Sequence, residues 1–198
     1  CLDAIDASKK PGSVGKPLPL TEIQLISDDE QPVPTGEVGE IWIKSPGVSE
    51  GYWQKPEETA KSFSNGWCKT GDLGMYDEEG FLSIVGRKKD MIRSGGENIY
   101  AAEIEDVLYR HDAVHTASVI AIPDPKYLEA VCAVIVLKEN KQTTEEELIS
   151  FCQKYLAKYK APKKVVFIDE IPRTPSGKVK KFELREIYKN VNLKTEEV

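Results

Sequence analysis

The chain has 198 residues, of which 40% are hydrophobic and 30% charged, a composition typical of a globular protein with one ordinary domain or two small ones. Its longest apolar run, "AVCAVIVL" at 130–137, is far too short to cross a bilayer. Its four cysteines are scattered without a CxxC pair, which argues against structural zinc and favours reduced thiols in a cytoplasmic protein.

The formal net charge of −6 is spread unevenly along the chain. Residues 154–189 contain eleven Lys and Arg against four Asp and Glu. This pattern fits either a solvated, Lys-rich surface or a basic segment that meets an anionic ligand or an acidic partner. Nucleic acid is a weak candidate, because no aromatic ladder or known recognition motif accompanies the charge.

The first part of the chain is predicted to form a small β-rich unit. Residues 1–20 are rich in Pro and Gly and predict a connecting loop. Pro56, followed by two acids, predicts the start of a short helix. Runs rich in β-branched and aromatic residues predict strands at 21–27, at 39–45 and in the two halves of 66–87, which a turn at 77–80 joins. This unit is expected to end near Gly86.

From residue 89 onward, helical and strand patterns alternate. Apolar positions on one face predict a helix at 101–111, and β-branched runs predict strands at 116–124 and 130–139. Thr144 and Glu147 have the spacing of a capping box at the start of a helix. The apolar stripe predicted for that helix is Leu148, Cys152, Tyr155 and Tyr159.

The end of the chain is predicted to hold one more strand, "VVFIDEIP", then the loop "RTPSGK" and a terminal helix at 179–190. The fold prediction is therefore α+β. We expect a β-rich, distorted barrel-like subdomain at 1–88, followed by a compact mixed α/β domain at 89–198.

Four features carry chemistry that the fold alone does not require. Lys178, in "PRTPSGK", is either an ordinary solvated lysine or a flexible ammonium that binds a phosphate. The segment is not a Walker loop, because Pro172 stands where that motif has its first glycine. Asp72, in "KTGDLG", is either a turn former or an acceptor for the two hydroxyls of a ribose. Arg87 is either a surface charge or a ligand of phosphate and ribose oxygens, and "GG" at 95–96 is either a tight turn or a point of close ligand approach.

The order of these features decides between the readings. The segments "GEIWIKSPGVSEGYW", "GWCKTGDLG", "GRKKDMIRSGGENI" and "IPRTPSGKVKK" occur in series along nearly the whole chain. This series resembles the C-terminal part of the adenylate-forming acyl-CoA synthetase superfamily, which also contains luciferases and peptide-synthetase adenylation domains.

The resemblance implies an acid–thiol ligase that uses ATP, CoA and Mg²⁺. A carboxylate would attack the α-phosphate of ATP to give acyl-AMP and pyrophosphate, and the CoA thiol would then displace AMP. By the same resemblance, Lys178 would be the catalytic lysine of adenylation, and Asp72 and Arg87 would bind the nucleotide. Lys89 would be the hinge about which the C-terminal domain rotates between the half-reactions. The loop for CoA and thioester formation would comprise Gly95, Gly96, Glu97 and Asn98.

The chain departs from this pattern in two ways. Ala101 stands where the family often has Pro, and the hinge is Lys rather than the frequent Asp. The family's phosphate loop, most of its carboxylate pocket and its magnesium-binding acid lie upstream of the motifs found here. Together with the first residue, Cys1, this predicts a C-terminal fragment that does not adenylate by itself and binds no metal through its own residues. The missing N-terminal domain of the same enzyme is the expected partner.

Three alternatives stay open. An adenylation domain that loads a carrier protein shares the motifs, although "KDMIRSGGENI" is closer to the CoA-ligase form. A luciferase-like enzyme is disfavoured because the terminus "KTEEV" lacks a peroxisomal address. A non-catalytic nucleotide-binding module would not need Lys178. Fatty and aryl acids both remain open as substrates, and acetylation of Lys178 would remove its charge.

Overall fold

Two antiparallel-rich sheets, each in its own part of the chain, organise the fold. The computed structural model describes residues 1–191, and the "KTEEV" terminus lies outside the described residues. The chain divides into two compact units, Cys1–Lys89 and Asp90–Val198, which are described separately below as the first and the second unit. Within the described range, no helix is both long enough and apolar enough to cross a membrane.

The first unit is an antiparallel sheet with short helices. Its elements are α1 (Ala4–Lys9), β1 (Ser13–Gly15), β2 (Glu22–Ile26), β3 (Val38–Lys44), α2 (Pro56–Ser62), β4 (Phe63–Ser64), β5 (Trp67–Tyr76) and β6 (Leu82–Arg87). The strand order is β1-β6-β5-β3-β2, with β4 paired to β5. A small core forms around Leu25, Ile41 and Leu82 on one face.

The sequence prediction for this unit needs two corrections. Residues 1–20 contain α1 and β1 rather than only a loop, because Asp3 caps α1 through Asp6 N–H at 2.7 Å and β1 pairs with β6. The sheet is also not a closed barrel in the described part of the chain, since the edge strands β1 and β2 do not pair with each other. The helix that starts at Pro56 and the pair of strands within 66–87 are confirmed.

The second unit packs helices on both faces of a mixed sheet. Its elements are β7 (Ile92–Ser94), β8 (Glu97–Ile99), α3 (Ala101–Tyr109), β9 (Val114–Asp124), β10 (Leu128–Leu137), α4 (Glu145–Tyr155), β11 (Lys164–Phe167) and α5 (Lys181–Tyr188). The strand order is β11-β10-β7-β8, with β9 antiparallel to β10 along its length. A short 3₁₀ turn at Lys88–Asp90 precedes β7, and another, at Lys158–Lys160, precedes β11.

Strand β10 lies at the centre of this unit and is buried on both faces. Val131, Ala133 and Ile135 belong to the core under α3 and α4, whereas the alternate residues Cys132 and Val134 belong to the core under α5. Burial on both faces explains why the sequence of β10 is a nearly continuous apolar run rather than an alternating one. The α+β fold class is confirmed.

The helix predicted from the capping box is confirmed at its start and shorter than predicted at its end. The Thr144 hydroxyl accepts from Glu147 N–H at 3.2 Å, and the Glu147 carboxylate accepts from Thr144 N–H at 3.0 Å. Leu148 and Cys152 are buried as expected. Tyr155 and Tyr159 are exposed, however, because α4 ends at Tyr155 and Tyr159 lies in the following 3₁₀ turn, so the lower half of the predicted stripe is wrong.

Candidate functional site

Lys178 projects from a tightly hydrogen-bonded hairpin, Pro172–Lys180. Gly177 N–H donates to Thr174 O and Thr174 N–H donates to Lys178 O, both at 2.8 Å. Pro175 occupies the second position of the turn, where a fixed φ is favoured, and Gly177 adopts the positive φ of +83° that a bulge after such a turn requires. The segment predicted as a loop is therefore a defined hairpin, closed by the bridge between Arg173 and Val179.

The side chains of this hairpin hold its backbone rather than Lys178. The Thr174 hydroxyl accepts from Lys178 N–H at 3.1 Å, and the Arg173 guanidinium donates to Gly177 O at 2.9 Å. Nearby lysines are paired, Lys180 with Glu183 at 2.8 Å and Lys181 with Glu105 at 2.7 Å. Lys178 is exposed, and its ammonium has no hydrogen bond or ion pair within residues 1–191. The hairpin thus presents an uncompensated positive charge on a fixed backbone.

Asp72 and Arg87 are brought together at the end of a strand pair in the first unit. They are directly opposite each other on β5 and β6, and Arg87 Nε donates to Asp72 Oδ1 at 2.8 Å. Asp72 Oδ2 has no partner within the described residues. An Arg that engages one carboxylate oxygen orients the other, which remains available as an acceptor. The pair therefore offers donors and an acceptor side by side.

A partly buried carboxylate supports the turn before Asp72. Glu40, on β3, accepts from Gly71 N–H at 3.1 Å through one oxygen and binds Lys88 Nζ at 3.1 Å through the other. The Thr70 hydroxyl accepts from Asp72 N–H at 3.1 Å. An open cleft of about 380 Å³ lies in this unit, and Glu40, Gly71 and Lys88 are among the residues that line it. Sequence reasoning missed Glu40, whose only signal was its place in the motif "GEIWIKS".

Gly95 and Gly96 form the two-residue turn of a second hairpin, Ile92–Ile99, made of β7 and β8. Their φ angles of +61° and +87° are those of a type I′ turn, which strongly favours glycine at both positions. Gly95 N–H donates to Tyr127 O at 3.1 Å, and a Cβ at Gly95 would lie 3.1 Å from the Tyr127 ring. A Cβ at Gly96 would meet nothing within 4 Å. The turn therefore packs on one side and is open on the other.

The remaining predicted site residues flank these features. Glu97 and Asn98 pair through their backbones with Ser94 and Arg93, and their own side chains are exposed. Lys89 lies in the 3₁₀ turn Lys88–Asp90, at the point where the chain passes from the first unit to the second.

Two of the four cysteine thiols are buried in the second unit. No cluster of three or more His, Cys, Asp or Glu side chains able to hold a metal occurs within residues 1–191. All four cysteines are free. Burial raises the pKa of the Cys132 thiol to about 12 and that of the Cys152 thiol to about 11. Both side chains therefore remain protonated and unreactive at neutral pH.

The chain matches two family models. One is described as "AMP-binding enzyme C-terminal domain" and matches residues 103–178, and the other is described as "AMP-binding enzyme" and matches residues 1–53. The two matches together cover more than half of the chain, and they place its motifs within one class of enzyme. The chain belongs to the AMP-binding enzyme family.

Individual relatives refine this assignment. The chain is 45% identical to a long-chain-fatty-acid–CoA ligase of Escherichia coli O6:H1 over 93% of its own length and 33% of that protein. It is 44% identical to a 2-succinylbenzoate–CoA ligase of Geobacillus sp., over 91% of the chain and 37% of that protein. The chain therefore spans about a third of the length of these relatives.

Solved structures give the same picture. The o-succinylbenzoate CoA synthetase of Bacillus subtilis, in complex with its acyl-adenylate intermediate, is 42% identical with a TM-score of 0.87, over 93% of this chain and 37% of that one. The amide bond synthetase McbA of Marinactinospora thermotolerans is 38% identical with a TM-score of 0.82, over 89% of this chain and 36% of that one.

Proposed function

We propose that this chain is the C-terminal part of an AMP-forming acid–CoA ligase. The whole enzyme would activate a carboxylate with ATP to acyl-AMP and then transfer the acyl group to CoA as a thioester. Residues 1–88 would complete the large adenylation domain, and residues 89–198 would form a mobile lid that turns about Lys89. The identities to CoA ligases support this proposal, and the single observation that carries it is the exposed ammonium of Lys178, which has no partner among residues 1–191, on a hydrogen-bonded hairpin.

In the proposed adenylation step, Lys178 binds the carboxylate and the α-phosphate while negative charge accumulates between them. A preorganised cation in a site that excludes water stabilises this charge more in the transition state than in the ground state, and removing one such donor typically costs about 10²–10³ in kcat. The hydrogen bonds of Thr174 and Arg173 fix the backbone that carries the lysine. They thereby lower the entropic cost of placing the ammonium.

Asp72 and Arg87 would bind the nucleotide. The free Oδ2 of Asp72 would accept a hydrogen bond from a ribose hydroxyl, while Arg87 keeps the carboxylate oriented and contributes donors to ribose or phosphate oxygens. Mg²⁺ would accompany ATP, with protein ligands outside this chain.

The thioester step would use the open side of the Gly95–Gly96 turn. Because a Cβ at Gly96 would meet nothing within 4 Å, the backbone there leaves room for the thiol arm of CoA. Glu97 and Asn98 would support this turn through their pairing with Ser94 and Arg93. We further propose the cytoplasm as the compartment, in keeping with four free thiols.

The proposal is tested with the full-length protein that contains this chain. Carboxylate-dependent exchange of pyrophosphate into ATP is measured with long-chain fatty acids and with aryl acids, and CoA is then added to follow thioester formation. We expect exchange with at least one acid class and acylation of CoA. Exchange with no acid, or acylation of a carrier-protein thiol but not of CoA, contradicts the proposal.

The nucleotide site has its own test. Asp72→Asn should raise the KM for ATP about tenfold or more, because a hydrogen bond to a charged acceptor is lost. Asp29→Asn, at an exposed acid of the same unit, is the matched control and should leave the KM unchanged. Equal behaviour of the two variants would remove Asp72 from the site.

A further inference from the structure

The residues on either side of Lys89 are each held by a partly buried ion pair. The boundary between the two units falls between Lys89 and Asp90, and the 3₁₀ turn Lys88–Asp90 spans it. Lys88 is bound by carboxylates of the first unit, and Asp90 is bound by a guanidinium of the second. Each pair lies wholly inside one unit.

On the first side, Lys88 is bound twice. Its ammonium lies 3.1 Å from Glu40 Oε2 and 3.0 Å from Asp28 Oδ1. Burial alone would lower the pKa of Lys88, but the hydrogen bonds to Asp28 and Glu40 outweigh it and raise the pKa. The Glu40 side chain is only 12% exposed, and its other oxygen accepts from Gly71 N–H. Glu40 is therefore a fixed anchor for Lys88.

On the second side, Asp90 is bound by α5. The Arg185 guanidinium donates to Asp90 Oδ1 at 2.6 Å, and the Asp90 side chain is 16% exposed. The helix that carries Arg185 is itself held by buried Leu184 and by the ion pair of Lys181 with Glu105 on α3. The position of Asp90 is thereby tied to the core of its unit.

We propose that Glu40 and Arg185 are positioning residues that hold Lys88 and Asp90 to their respective units and so confine rotation between the units to the backbone of Lys89. The rotation itself belongs to the proposed function, on which this inference rests. A hinge of one residue yields few orientations, whereas a loose segment distributes the motion over many bonds and populates each productive orientation less. The two ion pairs are thus proposed to make the two catalytic orientations reproducible.

Burial of the carboxylate separates the Lys88–Glu40 and Arg185–Asp90 pairs from ordinary surface ion pairs. Glu186, on α5, pairs with Lys189, just beyond the end of that helix. Their side chains are 72% and 53% exposed, respectively. Exposed pairs of that kind contribute little to stability. Removal of Arg185 or Lys88 would instead leave the mostly buried carboxylate of Asp90 or Glu40 without its cation, which is costly.

The first test is amide hydrogen exchange of residues 86–92 in the full-length protein, compared among matched variants. Glu40→Gln keeps an oxygen for Gly71 N–H but removes the less exposed of the two carboxylate charges that hold Lys88. Glu40→Gln and Arg185→Gln should each speed exchange in this segment about tenfold, because local opening becomes easier. The controls Glu37→Gln and Lys189→Gln, at exposed positions, should not change it. Unchanged exchange in both test variants overturns the proposal.

A double-mutant cycle shows whether Glu40 acts through Lys88. Lys88→Gln should speed exchange at least as much as Glu40→Gln does, because it also loses the contact with Asp28, and the double variant should exchange no faster than Lys88→Gln alone. Lys88→Arg, which retains the charge, should restore slow exchange. Independent, multiplicative effects of the two substitutions contradict the assignment.

Steady-state kinetics separate the hinge role from a nucleotide role. Glu40→Gln and Arg185→Gln should lower kcat of both half-reactions about tenfold through misplacement of the catalytic groups, with the KM for ATP unchanged. A raised KM for ATP in Glu40→Gln alone would instead mean that Glu40 acts through Gly71 at the nucleotide site. If no acid supports exchange, the proposed function fails while the hydrogen-exchange result still decides whether the hinge is confined.

Discussion

The Pro172–Lys180 and Ile92–Ile99 hairpins both depend on glycines with a positive φ, but they present different features to solvent. In the first, Gly177 permits a bulge, and the next residue is an exposed lysine whose ammonium has no partner in the described part of the chain. In the second, Gly95 and Gly96 occupy the turn itself, so the hairpin ends without a side chain. The first hairpin offers charge and the second offers space. Under the proposed function, the charge would serve the adenylation step and the space would admit the thiol arm of CoA in the second step.

The two hairpins also differ in what holds them. The first is stabilised by its own hydrogen bonds, from Thr174 and Arg173. The second is tied to the central sheet, because Ser94 pairs with Leu128 and Gly95 N–H donates to Tyr127 O. Substitutions can therefore separate the two roles and the two sources of rigidity.

The largest expected effect is on the hairpin that offers charge. Lys178→Ala in the full-length protein should lower pyrophosphate exchange by about 10²–10³, because the transition state loses its preorganised cation. Thioester formation from preformed acyl-AMP should change little. Lys141→Ala, at an exposed lysine elsewhere in the unit, is the control and should retain both activities. Normal exchange in Lys178→Ala would show that this hairpin has another task.

The next effect concerns the hairpin that offers space. Gly96→Leu should leave exchange nearly intact and lower thioester formation from acyl-AMP about tenfold or more, since the added side chain occupies the open side of the turn. Gly80→Leu is a matched control, because Gly80 also has a positive φ of +78° and a Cβ there would meet nothing within 4 Å. Both variants carry the same backbone strain. Equal loss of thioester formation in both would attribute the effect to strain rather than to space.

The sequence indicated which residues lie in the turns of both hairpins, but not that the segments form hairpins or which distant residues hold them. The Pro and Gly residues of "TPSGK" and "SGGE" favour turns by themselves, so these turns can be predicted from the local sequence. The anchors are not local: Tyr127 meets Gly95 only after β10 pairs with β7, and Glu40 meets Lys88 only after β3 pairs with β5. Such contacts depend on strand pairing that no single segment encodes.

The secondary structure was predicted best where a local motif specified the boundary of an element. The capping box of Thr144 and Glu147 located the start of α4, because both hydrogen bonds form within four residues. The end of α4 was misplaced, since Tyr155 and Tyr159 are amphipathic side chains whose exposure depends on where the chain turns. The short helix α1 escaped detection because its six residues bury no side chain and so lack an apolar stripe.

A smaller effect distinguishes the two glycines of the second hairpin by stability. Gly95→Ala and Gly96→Ala should each lower the free energy of unfolding by about 1–2 kcal/mol, because alanine disfavours a left-handed φ. Gly95→Ala should cost about 1 kcal/mol more, because its Cβ would press on the Tyr127 ring at 3.1 Å. Native-state exchange of the β10 amides measures this, whereas tryptophan fluorescence does not, since all three tryptophans lie before residue 90. Equal losses of stability in the two variants would mean that the Tyr127 ring moves aside without an energetic penalty.

The smallest effect separates the hairpins by their response to acid. Asp124 Oδ1 accepts from Lys126 and Tyr127 N–H, at 2.8 and 2.9 Å, and thereby holds the residue that packs on Gly95. Burial alone would raise the pKa of Asp124, but these N–H groups and the Lys163 ammonium outweigh it and lower the pKa. The first hairpin depends on the Thr174 hydroxyl instead, which does not titrate in acid.

The sign of the effect follows from the lowered pKa. The stabilisation that Asp124 supplies is complete above its unfolded pKa of about 3.9 and is lost as pH falls through the lower folded value. Asp124→Asn should therefore destabilise the second unit at pH 6, and its stability should approach that of the parent protein as pH falls below about 4. Hydrogen exchange of β10 amides from pH 6 to pH 3 provides the comparison. In the same samples, Gly177 N–H should exchange at the same rate in the parent protein and in Asp124→Asn. If the stabilities of the two proteins instead change in parallel with pH, the acid response of the second hairpin arises from a group other than Asp124.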